Sequence, residues 1–174
     1  MSQHLGLEEA LDIAMDTELK AHAFYAQAAV EVQDPHGRDL LGRLAAFEQY
    51  HYKQLARLAR SLQEGGQFIE YETRVVSDFQ PAGNLAPMAG GGETAGTLLD
   101  ELKNVAGILS KAIENEKVAG ERYRVLAEET ADPEGQDMFR KLANEEMIHQ
   151  RILEDEFFSL SNKGVWGWSG MYGE

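Results

Sequence analysis

The sequence predicts an all-α protein, a four-helix bundle built from two helical hairpins joined by a long crossover. Three observations predict it. Apolar residues recur at alternating steps of three and four along four separate segments, the spacing of one buried helix face. The chain aligns with itself at an offset of 98 residues, with about a third of positions identical between residues 11 and 55 and their counterparts. Asp-Pro pairs at Asp34-Pro35 and Asp132-Pro133 divide each copy in two, since proline disfavours helix before it and suits the first turn of the next.

In the first hairpin, about 5–64, one seam runs Leu7, Leu11, Ala14, Glu18, Ala21, Tyr25, Ala28, Val32. After the Asp34-Pro35-His36-Gly37 break, the next runs Leu41, Leu44, Glu48, His51, Leu55, Leu58, Leu62. Residues 65–97, with Gln80-Pro81-Ala82-Gly83-Asn84 and Ala89-Gly90-Gly91-Gly92, are too long and too rich in glycine for a tight turn. They predict a crossover along the bundle that lets the second and third helices run the same way. Thr97–Lys103 is read as a short helix before the third helix proper. The second hairpin, about 98–160, carries Val105, Leu109, Ala112, Glu116, Ala119, Tyr123, Leu126, then Phe139, Leu142, Glu146, His149, Leu153, Leu160. Glu156 interrupts that last stripe and predicts a more exposed end. Residues 161–174 read as an extended tail, whose Trp166 and Trp168 are expected to cover an apolar face of this chain or of a neighbouring subunit.

Composition narrows the function. At 174 residues the chain is most simply one domain, with 43% apolar residues and room for a substantial core. It has no cysteine, which removes disulfides, thiolate zinc sites, iron–sulfur clusters and cysteine nucleophiles together. Neither a secretory leader nor an apolar run of membrane-spanning length is visible, so cytoplasmic residence is the expectation. A formal charge of −14 opposes nucleic acid, whose phosphates it repels. Gly90-Gly91-Gly92 lacks the lysine and the strand–helix setting of a phosphate loop.

The informative residues are polar ones on apolar seams. Glu18, Glu48 and His51 recur as Glu116, Glu146 and His149, each pair separated by the same 98 residues. One buried, unpaired carboxylate costs several kcal/mol, and four at one level demand protonation or shared cations. Two divalent cations answer that demand: four glutamates neutralise them, and two neutral imidazoles complete the ligand set. A Glu-x-x-His spacing presents both side chains about one helical turn apart on one face. One glutamate from each of two helices plus Glu-x-x-His from the other two is a ligand pattern already known for helical bundles. The competing reading is an internal glutamate–histidine network with buried water. Tyr25 and Tyr123, seven residues after their glutamates, are candidates for hydrogen bonds to ligand carboxylates or for electron transfer, or else ordinary core tyrosines. His22, whose counterpart is Gly120, is read as a bystander; Glu114 and Glu121 as solvated; His4 and His36 as surface residues.

Glu18-x-x-Ala21-x-x-Phe24-Tyr25 with Leu44-Ala45-x-x-Glu48-x-x-His51, and Glu116-x-x-Ala119-x-x-x-Tyr123 with Leu142-Ala143-x-x-Glu146-x-x-His149, resemble the ferritin-like di-iron carboxylate proteins, closest to the rubrerythrin-like branch. The resemblance implies that Glu48 and Glu146 bridge or chelate two iron ions. Glu18 and Glu116 would be terminal or bridging partners, and His51 and His149 would bind one ion each. Manganese or zinc are alternative occupants of so oxygen-rich a set. It further implies an oxidoreductase that reduces hydrogen peroxide, with reaction with oxygen as the near neighbour and iron binding or storage without turnover as the alternative. The chain departs from the family pattern twice. Ala119 stands where rubrerythrins often place a further glutamate, and the four-cysteine rubredoxin module is missing, so electrons must come from a separate donor protein. A ferritin cage needs a fifth helix that the glycine-rich tail does not offer. A homodimer is expected.

Overall fold

The computed structural model describes residues 5–80 and 95–168, with side chains from 104 onward in the third helix. It is a four-helix bundle of the ferritin-like type: α1 (Leu7–Glu31), α2 (Pro35–Gln63), α3 (Ala95–Glu129) and α4 (Pro133–Lys163). A 3-10 turn, Val76–Asp78, lies in the described part of the crossover. Among the described residues no helix is long and apolar enough to cross a membrane.

The predicted breaks are the helix caps. Asp34 accepts a hydrogen bond from the His36 amide at 2.8 Å, and Asp132 one from the Gly135 amide at 2.8 Å, each with proline at the first helical position. Such caps satisfy amides that the helix itself leaves unpaired. Gly164 ends α4 in the left-handed region at φ 70°, which only glycine adopts without strain.

α1 packs on α2, and α3 on α4. Two apolar clusters fill the bundle, one on either side of a polar layer. The first joins Ala10, Leu11 and Ala14 to Leu55 and Leu58, then to Tyr123, Leu126, Phe139 and Leu142. The second joins Tyr25, Ala28 and Val32 to Leu40, Leu41 and Leu44, then to Leu109, Ala112, Ile152 and Leu153. The ends of α2 and α3 therefore share one cluster and their beginnings the other, so these helices run parallel, as the long crossover requires. The crossover itself travels between the clusters: Tyr71 is buried in the first and Val76 in the second.

The structure differs from the sequence reading at three places. Thr97–Lys103 is not a separate short helix but part of α3, which begins at Ala95. α4 continues past Leu160 to Lys163. Glu156, whose break in the stripe predicts a more exposed end, is itself fully buried, although Phe158 beyond it is exposed. Its carboxylate accepts the Gly167 amide at 2.8 Å, so the chain after Gly164 folds back and gives the buried acid a donor. The same return places Trp168 in the core, 2% exposed, with its indole N–H donating to Asp39 at 2.7 Å. Both tryptophans thus cover this chain's own apolar surface. The Gly90–Gly92 run and His4 lie outside the described residues.

Trp166 lies directly over Gly37, where an added Cβ would overlap the indole ring. Gly37→Ala is expected to push Trp166 off α2 and destabilise the fold by about 1–3 kcal/mol. Denaturant unfolding checks the loss, and a red-shifted tryptophan emission checks its cause.

Candidate metal centre

Each of the six seam residues is buried: Glu48 and His51 are 0% exposed, and Glu18, Glu116, Glu146 and His149 are 3% or less. Their ligating atoms form two groups. Glu18, Glu48, His51 and Glu146 make one, and Glu48, Glu116, Glu146 and His149 the other, with the donor atoms of each group all within 4.8 Å of one another. Glu48 and Glu146 belong to both. The helical seams explain the convergence: in each hairpin the lone glutamate of one helix faces the Glu-x-x-His of its partner.

The imidazoles turn their Nδ1 atoms inward. His51 Nδ1 lies 3.1 Å from Glu18 Oε2, 3.1 Å from Glu48 Oε2 and 3.5 Å from Glu146 Oε1. His149 Nδ1 lies 3.3 Å from Glu48 Oε1 and 3.3 Å from Glu146 Oε2, with Glu116 at 3.7 Å. Both oxygens of Glu48, Oε1 of Glu146 and Nδ1 of His149 are buried without a hydrogen-bond partner. Buried polar atoms are nearly always paired, and these unpaired ones are donor atoms of the two groups. The residues present therefore fit a pair of hard or borderline cations.

Protonation reports the same strain. Burial pushes the Glu18 carboxyl up to about 8, with His51 pulling it back. Burial, then the charges of Glu48 and Glu116, raise Glu146 well above the usual range. Glu48 is the exception: burial raises it, but the imidazoles of His149 and His51 beside its two oxygens hold it below an ordinary carboxylate. Burial works against charge on both imidazoles as well. It is outweighed by Tyr71 and Glu18 around His51, and by Glu116, Glu146 and Glu48 around His149, so both are raised.

The tyrosines cross between hairpins. Tyr25 donates to Glu116 and Tyr123 to Glu18, so each serves the glutamate of the opposite hairpin. Seven residues along one helix is about 10 Å, too far for a tyrosine to reach the glutamate of its own helix. Both phenols are raised well above their ordinary range, chiefly by burial and then by the carboxylates they contact. His22 turns away from the centre, its Nδ1 2.7 Å from the Ala45 carbonyl oxygen. Glu114, Glu121 and His36 lie toward the surface rather than in the ligand layer.

Glu145 and Tyr71 adjoin the centre without a place on the sequence seams. Glu145 is 4% exposed, and its Oε2 lies 3.4 Å from His51 Nε2. It accepts the Tyr71 hydroxyl at 2.6 Å and the Arg74 amide at 3.0 Å, both from the crossover. One signal could have revealed it: at the 98-residue offset Glu145 aligns with Phe47, a core aromatic.

The two seams between hairpins are closed differently. On the α2–α4 side, Phe47 lies 4.6 Å from both imidazoles, ring centre to ring centre, with Phe79 of the crossover against it. On the α1–α3 side a cleft of about 350 Å³ opens, lined by Thr17, Ala21, Tyr25, Glu116, Ala119 and Arg122 among others. Glu116 of the centre is one of the residues that line that cleft.

A four-helix bundle with a buried carboxylate–histidine centre, doubled about its own middle, defines a metal-binding protein of the ferritin-like class. The chain belongs to the rubrerythrin family, whose family model matches residues 1–59 and 107–163. It is also similar to the solved structure of a hypothetical protein, Pfu-1136390-001, from Pyrococcus furiosus. The two are 23% identical, with a TM-score of 0.62 over 92% of this chain and 93% of that one, a likeness of fold alone. No curated protein matches the chain.

Proposed function

We propose that the protein is a di-iron oxidoreductase that reduces hydrogen peroxide with electrons from a separate donor protein. The observation that supports this reading is the pair of overlapping donor groups sharing Glu48 and Glu146, with their unpaired buried atoms. Glu18, Glu48, His51 and Glu146 would hold one ion, and Glu48, Glu116, Glu146 and His149 the other. When bound, a pair of ferrous ions supplies two electrons to an O–O bond, one from each.

The chain's own residues do the rest. Glu48 and Glu146, common to both groups, would hold both ions and tie the two positions together. Tyr25 and Tyr123 orient Glu116 and Glu18 by hydrogen bonds, so those carboxylates present a fixed oxygen to the centre. The cleft between α1 and α3 admits a small oxidant to the side of Glu116 and Tyr25, while aromatic rings shut the opposite side. With no cysteine among these residues, no thiolate-held iron centre of this chain relays electrons, and a separate donor supplies them. A homodimer in the cytoplasm completes the proposal.

Anaerobic loading of metal-free protein with ferrous iron, followed by stopped-flow mixing with peroxide and with oxygen separately, tests the reading. Faster oxidation by peroxide, and repeated turnover when a reductant is supplied, are the expected results. Faster oxidation by oxygen with retained ferric iron would assign the protein to iron oxidation or storage instead.

A further inference from the structure

The two halves of the centre match in their inner ligands and differ in what stands behind the histidines. A cation on imidazole Nδ1 requires the ring proton to sit on Nε2, and the group that receives that proton fixes the ring's tautomer and direction. Behind His51 that group is Glu145, whose Oε2 faces Nε2 at 3.4 Å. This is an ion-pair contact rather than an aligned hydrogen bond. Behind His149, among the described residues, there is no carboxylate within ion-pair distance of Nε2, and that nitrogen has no hydrogen-bond partner. The duplication makes the comparison direct. Phe47 occupies the position in the first hairpin that Glu145 occupies in the second, and it meets His149 in a T-shaped ring contact at 4.6 Å instead of offering an acceptor.

Glu145 is itself held in place. The Tyr71 hydroxyl and the Arg74 amide approach its two oxygens from the crossover, at 2.6 Å on Oε2 and 3.0 Å on Oε1. The Tyr50 hydroxyl donates to the Glu72 carbonyl at 2.9 Å, pinning the same stretch of crossover to α2. This carboxylate is therefore buried, doubly hydrogen-bonded from outside and aimed at the outer edge of His51.

We propose that Glu145 is a positioning residue for His51 that makes the two cation positions unequal. The position formed by Glu18, Glu48, His51 and Glu146 fills first and holds its ion more tightly. The position that includes His149, whose ring has no such acceptor, fills second. The inference rests on the metal-centre reading, and it concerns binding rather than peroxide chemistry.

Anaerobic titration of the metal-free full chain with Co(II), followed by calorimetry and visible absorption, tests it. The wild type should take up Co(II) in two steps of unequal affinity. Glu145→Gln keeps the size of the side chain but leaves one acceptor oxygen in place of two. It should weaken the tight step about 10- to 100-fold and leave the other unchanged. Tyr50→Phe removes the hydroxyl that pins the crossover to α2 without touching Glu145, so it should lower the melting temperature yet spare both affinities. A purely structural role for Glu145 predicts that the two variants behave alike in Co(II) binding, and that result would overturn the proposal. So would a uniform loss at both steps, or no change at either. If Glu145→Gln does not fold, His149→Ala must keep the tight equivalent and His51→Ala must lose it, and the reverse order refutes the assignment. Two equal equivalents in the wild type sink this inference alone, whereas no stoichiometric binding sinks the metal-centre reading with it.

Discussion

Glu48→Ala is expected to strip the protein of both cations, whereas Glu18→Ala is expected to cost it one. Glu48 enters both donor groups, and both of its oxygens are buried without hydrogen bonds. Oε2 lies 3.1 Å from His51 Nδ1 and Oε1 lies 3.3 Å from His149 Nδ1, so a single side chain addresses both imidazoles. Glu18 enters only the group of His51. Removing Glu48 also leaves two imidazoles facing each other, 5.9 Å apart between ring centres, without the carboxylate that both of them contact. Metal analysis of freshly purified variants checks the stoichiometry, and ferrous oxidation by peroxide should vanish in step with it. Full retention of both ions by Glu48→Ala would refute the bridging role.

The second large effect is an exchange of protons for metal. In the metal-free fold Glu18 is raised from 4.5 to about 8, Glu146 is raised, and both imidazoles are raised above 6.5. A group whose folded value lies above its unfolded one binds its proton more firmly when folded. Its stabilisation is whole below the unfolded value and disappears as pH climbs through the folded one. All four groups therefore weaken the metal-free protein as pH rises, Glu18 across 4.5 to about 8. Glu48 works the other way and weakens it only as pH falls below the ordinary carboxylate range. A tenfold difference in proton affinity between the folded and unfolded chain is worth about 1.4 kcal/mol. Each kcal/mol moves Tm by about 2–4 °C in a chain of this size. The metal-free protein should thus melt several degrees lower at about pH 8 than at about pH 6. The loaded protein should show much less of this slope, because cations take the protons' place. Binding must then release protons, which makes its calorimetric heat depend on the buffer. Parallel pH slopes for loaded and metal-free protein would contradict the exchange.

The bundle and the clustering of the six carboxylate and imidazole residues were legible because they are violations of a regular pattern. A glutamate at a seam position, repeated 98 residues later beside the same alanine and tyrosine spacing, stands out against an apolar stripe. Glu145 does not stand out. It is one step off the seam of α4, in a charged stretch that reads as solvated, and the crossover segment that buries it has no helical period to announce it. The same holds for Glu156, whose donor comes from a tail with no periodic signal of its own. The hydroxyls of Tyr25 and Tyr123 were placed at the centre, but their crossing between hairpins follows from the 98-residue symmetry only once the helices are packed.

Neither hairpin owns a complete set of donors. The group of His51 borrows Glu146 from the second half, the group of His149 borrows Glu48 from the first, and each tyrosine reaches over to the other half's glutamate. Severing the covalent link in the glycine-rich stretch would leave two fragments still stitched to each other by shared ligands. Metal held there would act as a further rivet between halves that the two apolar clusters already join, and a chelator should make the nicked molecule easier to separate.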